Sequence, residues 1–237
     1  MQILGPVRAA GIAGTPMKYK WNLEVSRAIR HPLDGEHPRL AKALGMVNLP
    51  AAFALVLANA EWVAWRFEGI IDIGDALARI EAGYAALADP RYADIPQPDE
   101  PFPAQLQDAY GPLKLARMLI PTACEYYRRR DPIVSAVALS MALLARHVCS
   151  NRVAFDKWLS AVLRNCHAHY PPSKPPSDEQ GPLPRAFFEA PGHWDVAAGR
   201  ALLAQFLAEL DPAANPYLLS AQDLHGLGFQ GTPYRLD

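Results

Sequence analysis

Glu61, Glu68, Asp72 and Asp75 are the residues of this chain whose types and spacing come closest to a chemistry. Glu61, Trp65 and Glu68 share one helical face at 4/3 spacing, and Asp72 and Asp75 fall in the turn that follows. Paired carboxylates can exchange protons with a substrate or hold magnesium. Plainer roles carry more weight here. Asp75 can cap the next helix. Glu61 can pair with Arg66 or with an arginine from another helix, because a buried, unpaired carboxylate is costly. The DDxxD of prenyl-chain enzymes is missing.

Metal-ligand residue types occur in His147-x-Cys149 and Cys166-His167-x-His169. Cys149 and Cys166 are 17 residues apart. Through a helix that separation is roughly 25 Å, whereas zinc ligands lie about 2.0–2.3 Å from the ion. No metal and no cofactor is therefore expected. HExxH, paired CxxC, GxSxG and a glycine-rich phosphate loop are also absent. His193-Trp194-Asp195 is no triad, since neighbours on a helix point about 100° apart. Tyr126-Tyr127-Arg128-Arg129-Arg130 is basic and aromatic, but its arginines end a helix, where positive charge meets the negative end of the dipole.

The elements that must position these residues are helices. Residues 50–68 (PAAFALVLANAEWVAWRFE) and 132–150 (PIVSAVALSMALLARHVCS) are apolar nearly all the way round. A helix apolar on every side is wrapped by other helices or by lipid. The longest uncharged stretches, 47–60 and 132–145, fall short of the roughly 20 residues that cross a bilayer. Both are read as central helices of an all-α protein, a multi-helix bundle or a short stack of αα-hairpins. Further helices are predicted over 38–44, 75–88, 104–109, 112–130 with a kink or break at Pro121, 152–169, 194–210 and 221–226. A faint repeat at an offset of 82 aligns Pro50 with Pro132, and Leu77 and Ile80 with Leu159 and Val162.

In the 237-residue chain, 1–16 reads as a flexible N-terminal extension and Met17 as an alternative start. Residues 17–170 form the main helical domain. Residues 171–184, with six prolines, read as a loop or linker. Residues 185–237 supply a last long helix and an irregular tail that must lie on the helical body or wait for a partner. Three cysteines, an odd number, argue for reduced thiols and a cytoplasmic setting.

Net charge is −1, which disfavours nucleic-acid binding, yet residues 59–108 carry ten acidic and three basic groups and 109–185 carry eleven basic and five acidic. Either these blocks neutralise each other in the fold or an acidic surface faces a basic partner. The second option gives the leading functional expectation: a cytosolic protein–protein interaction module docking through Glu68, Asp72, Asp75, Glu81, Asp89 and Asp94. Its most specific version is a toxin-neutralising protein of the immunity type, an analogy of composition that rests on no motif. The alternative is an enzyme or small-molecule binder with a pocket between helices lined by Asn59, Glu61, Trp62, Trp65 and His147. A third expectation is an oligomeric scaffold in which the tail from residue 215 crosses to a neighbour.

Overall fold

Both all-round apolar stretches are central helices of an all-α structure. The computed structural model describes residues 1–32, 35–99, 107–172, 181–190 and 194–236. Its helices are α1 (Gly5–Ala10), α2 (Leu23–Arg30), α3 (Pro38–Leu44), α4 (Leu49–Arg66), α5 (Gly74–Ala88), α6 (Gln107–Arg128), α7 (Val134–Val148), α8 (Arg152–His169), α9 (Val196–Ala208) and α10 (Ala221–Gly226). One isolated antiparallel bridge, Ala93 to Leu218, is the only β pairing among the described residues. No helix among them is long and apolar enough to cross a membrane.

Helix α4 starts where its sequence says it should. The Asn48 side chain accepts the Ala51 N–H at 2.9 Å, and Pro50 sits in the first turn, where its missing N–H costs nothing. From Ala51 to Arg66 every residue is buried. Helices α5, α6 and α7 wrap it. Gly83 lets α5 approach closely, because a Cβ there would lie 2.5 Å from Leu57 Cδ2.

Chain direction follows from which ends meet. The Arg66 side chain reaches the Val148 carbonyl, so the last turns of α4 and α7 are neighbours. Their first turns line a common cleft with the last turns of α5 and α6. The Asn48 N–H donates to the Tyr170 carbonyl, which places the end of α8 beside the start of α4. Helices α4 and α7 therefore run one way, and α5, α6 and α8 run the other.

The differences from the sequence reading have physical causes. Helix α6 passes unbroken through Pro112 and Pro121, both buried. Helix packing holds the segment, and Gly111 gives the Trp21 indole its place, a Cβ there falling 2.0 Å from Trp21 Nε1. Residues 104–106 of the helix expected over 104–109 lie outside the described residues, as do 173–180 of the proline-rich stretch and His193. Residues 1–16, expected as a flexible extension, form α1 and bury Leu4, Val7 and Ile12 completely. The tail lies on its own chain. Leu218, Leu224, Phe229 and Tyr234 are buried, and the Tyr234 hydroxyl donates to the Tyr92 carbonyl at 3.1 Å.

Candidate functional site

Most of the acidic residues are committed within the chain. The Asp72 carboxylate accepts the Gly74 N–H at 2.8 Å and starts α5. Asp75 takes Arg79 at 2.9 Å, Arg117 and the Tyr217 hydroxyl. Burial works against its charge, but the bonds from Tyr217 and Arg79 and the nearby Arg117 hold its carboxyl below the usual range. Glu81 accepts from Asn215 Nδ2 at 2.9 Å, fastening the tail to α5. Asp89 caps the 3-10 turn Pro90–Tyr92 and pairs with Arg91. Glu68, Asp72 and Asp94 are exposed. The acidic block is thus partly neutralised by the basic block, at Asp75–Arg117 and at Glu61–Arg185.

Glu61 has no exposed surface and accepts two bonds from Arg185, Nε at 2.8 Å and Nη2 at 2.7 Å. Its partner is thus the arginine of the 3-10 turn Arg185–Phe188, not Arg66. On a helix, positions five apart point about 140° from each other, so Glu61 and Arg66 face different surroundings.

Four of the residues grouped by sequence as one pocket lie within two turns of α4, buried among other side chains. Trp62 packs its ring on Phe155 and Trp158, both at 5.2 Å. Asn59 donates to the Leu55 carbonyl of its own helix at 2.7 Å. The Asn59 Oδ1 and the indole N–H groups of Trp62 and Trp65 have no acceptor or donor opposite them. His147 alone of the five lines a cleft described here. Its Nε2 lies 3.0 Å from the Lys20 carbonyl, which can only accept, so that nitrogen carries the proton. His167 Nε2 lies 2.8 Å from the Ala43 carbonyl. Among the described residues no three His, Cys, Asp or Glu side chains gather in a way that would hold a metal ion.

The cleft that His147 lines encloses about 420 Å³, and its wall is cationic. Lys18, Arg66 and Arg152 contribute to it, with Tyr19, Ser150 and Asn151, and no aspartate or glutamate does. Arg66 has no exposed surface. Its Nε donates to the Val148 carbonyl and its Nη2 to the Pro16 carbonyl, each at 3.1 Å, and both acceptor residues stand in the cleft wall. The guanidinium therefore lies buried directly behind Pro16 and Val148 of the wall. Its Nη1 has no acceptor in the protein. Among the described residues no carboxylate pairs with it, and burial pushes its pKa down.

The start of α8 forms another wall. Asn151 caps it, accepting the Ala154 N–H at 3.1 Å. Arg152 and Val153 also line the cleft, and first-turn N–H groups have no acceptor within their own helix. Tyr19 donates its hydroxyl to the Asp108 carbonyl, and burial pushes that hydroxyl well above its ordinary value. The sequence offers Glu61 of the same helix as one possible partner for Arg66, and nothing local brings residues 16–19 and 147–153 to it. The available signal was the one basic residue of a helix that is apolar apart from Asn59 and Glu61.

At the opposite end, a wider cleft of about 680 Å³ lies between the starts of α4 and α7 and the ends of α5 and α6. Its wall is mainly apolar, with Asn48, Tyr127, Arg128 and Arg130 as the larger polar groups. Arg128 is already engaged with the Ala93 carbonyl, and Arg129 with Glu125. The chain matches no protein-family model, no curated protein and no solved structure.

Proposed function

We propose that the protein binds a small anionic molecule in the cleft between the ends of α4 and α7 and the start of α8. The observation that supports this most is the buried Arg66 guanidinium, whose Nη1 faces no protein acceptor. A buried cation is normally paired, because desolvation is repaid only by a counter-charge and full hydrogen bonding. Carbonyls take two of the three guanidinium nitrogens here, and neutral carbonyls leave the charge uncompensated. Lys18 and Arg152 add to that charge. Cys149, Ser150 and His147 also stand in this wall, but the His147 Nε2 proton goes to the Lys20 carbonyl, the Ser150 hydroxyl accepts from Thr15 at 3.0 Å and burial pushes the Cys149 thiol up, so the reading is of a binder.

Calorimetric titration of the full chain with small anions at fixed ionic strength tests the proposal. Saturable binding that weakens in Lys18→Gln and in Arg152→Gln is expected, since both residues are exposed and either can be changed without disturbing the core. Heats no larger than those of a sodium chloride control would overturn it. Arg66 would then serve only as a staple on the last carbonyl of α7.

Exposed Glu68, Asp72 and Asp94 support a second reading, the docking of a basic protein partner. A stoichiometric partner that co-purifies at low salt and is lost from Glu68→Lys with Asp94→Lys is its expected signature. Retention of that partner by the double variant would remove the reading.

A further inference from the structure

We infer that the ligand of this cleft is a small phosphate monoester with an apolar body, not a carboxylate. The inference rests on the anion-binding reading above and adds the class of anion.

Charge is the first argument. Three cationic side chains line the cleft and no carboxylate does. A monocarboxylate would leave most of that charge unanswered, whereas a phosphate monoester carries close to two negative charges at neutral pH.

Geometry is the second argument. The donors approach from separate elements. Arg66 comes from the last turn of α4, Lys18 from the segment between α1 and α2, and Arg152 with the leading N–H groups from the start of α8. Three directions suit the three terminal oxygens of a tetrahedral phosphate better than the planar pair of a carboxylate. A helix start is itself a recurrent phosphate site. Here α8 runs for 18 residues. It is joined by the buried, unpartnered Nη1 of Arg66, an independent pointer to an anion.

The rim is the third argument. Val153, next to Arg152 in the wall, is 80% exposed. An ester group leaving the phosphate toward solvent would pass apolar surface there. A volume near 420 Å³ suits a phosphate with a ring-sized substituent.

The test is titration calorimetry on the full chain at constant ionic strength with phenyl phosphate, inorganic phosphate and benzoate. Phenyl phosphate is expected to bind at least roughly tenfold more tightly than benzoate. It is also expected to bind more tightly than inorganic phosphate, with the difference reduced in Val153→Ser. Arg152→Gln should weaken both phosphates and leave the melting temperature unchanged. Equal affinity for benzoate and phenyl phosphate would overturn this inference and leave the anion-binding reading standing. Equal affinity for inorganic and phenyl phosphate would remove the apolar body. Binding of none of the three would overturn both readings. Arg66→Lys is a second variant that keeps a charge at that position. If it folds and binds phenyl phosphate with undiminished affinity, the Nη1 argument fails.

Discussion

Replacing Arg185 with methionine removes the counter-charge of Glu61, a carboxylate with no exposed surface. Two bonds at 2.8 and 2.7 Å disappear together, and so does the bond from Arg185 Nη2 to the Gln2 carbonyl at 2.6 Å. Breaking a buried pair from one side costs about 3–5 kcal/mol, because the remaining charge stays buried and alone. In a chain of this size that lowers the melting temperature by roughly 6–20 °C. The loss also depends on pH. Burial raises the Glu61 carboxyl, and the Arg185 guanidinium works against that rise. A carboxyl raised in the folded state holds its proton longer there. Its contribution is present below the ordinary carboxyl range and lost as pH rises through the raised value. Without Arg185 the rise is larger, so the stability lost in Arg185→Met should be greater at about pH 8 than at about pH 5. Urea melts at both pH values read this directly. Adding Glu61→Leu should recover most of the loss, since an apolar pair of similar volume often replaces a buried ion pair without penalty. A loss under about 1 kcal/mol, the size of an exposed pair, would refute the reasoning. So would equal losses at the two pH values.

Three further outcomes follow from the packing. Gly111→Ala puts a Cβ 2.0 Å from Trp21 Nε1. The overpacking should cost about 1–3 kcal/mol, and an unchanged thermal melt would show that the indole moves aside freely. Tyr217→Phe removes a hydrogen bond to Asp75 and should cost about 1 kcal/mol near neutral pH. Because the Asp75 carboxyl is lowered in the fold, its contribution is present above the ordinary carboxyl range and lost on acidification. The penalty should therefore fade toward about pH 3 in urea melts, and a constant penalty would contradict the Asp75 assignment. Burial pushes the Cys124 and Cys166 thiols up to about 12. A thiol-exchange reagent should modify them only as the chain unfolds, and rapid modification of the native protein would show that the core opens locally.

Residue type and period make the centre of this fold legible. Neither 50–68 nor 132–150 offers a broad polar stripe, and both are central helices: α4 is buried on all sides, while α7 leaves Ala136 and Arg146 exposed. In the structure Asn48 and Asn151 cap α4 and α8. Helices α1 and α2 were missed for a different reason. Gly5, Pro6, Gly11 and Gly14 hide a six-residue helix whose value comes from sinking Leu4, Val7 and Ile12 into the core. That is a tertiary gain with no local signature. Pro112 and Pro121 mislead in the same way, because their local cost is outweighed by the contacts of a 22-residue helix. The sites divide similarly. Pairing for Glu61 is legible from its burial, but the identity of Arg185 is not, at 124 positions along the chain. The cationic cleft needs the meeting of residues 16–19, 66 and 147–153, which no periodicity encodes.

The parallel run of α4 and α7 determines what the ends of this bundle can do. Both helices finish at the cationic cleft, so two negative dipole ends, each worth roughly half a charge, converge there. Arg66 answers them by donating to the Val148 carbonyl, a sufficient reason for a basic residue at that position. It is not a sufficient reason for the rest of the wall. Only three residues separate the end of α7 from the start of α8, so the positive dipole end of α8 offsets one of the two negative ones locally. With Lys18, Arg66 and Arg152 counted at full charge, the cleft keeps a balance of roughly +2.5. Helix capping alone therefore leaves the end overcharged, and the excess lies where Nη1 of Arg66 has no protein acceptor. The opposite end, where α4 and α7 start, offers Asn48 as a cap and a mainly apolar wall whose two arginines, Arg128 and Arg130, are exposed where Arg66 is buried. That asymmetry between the two ends of one bundle is what supports the proposed anion site at the Arg66 end.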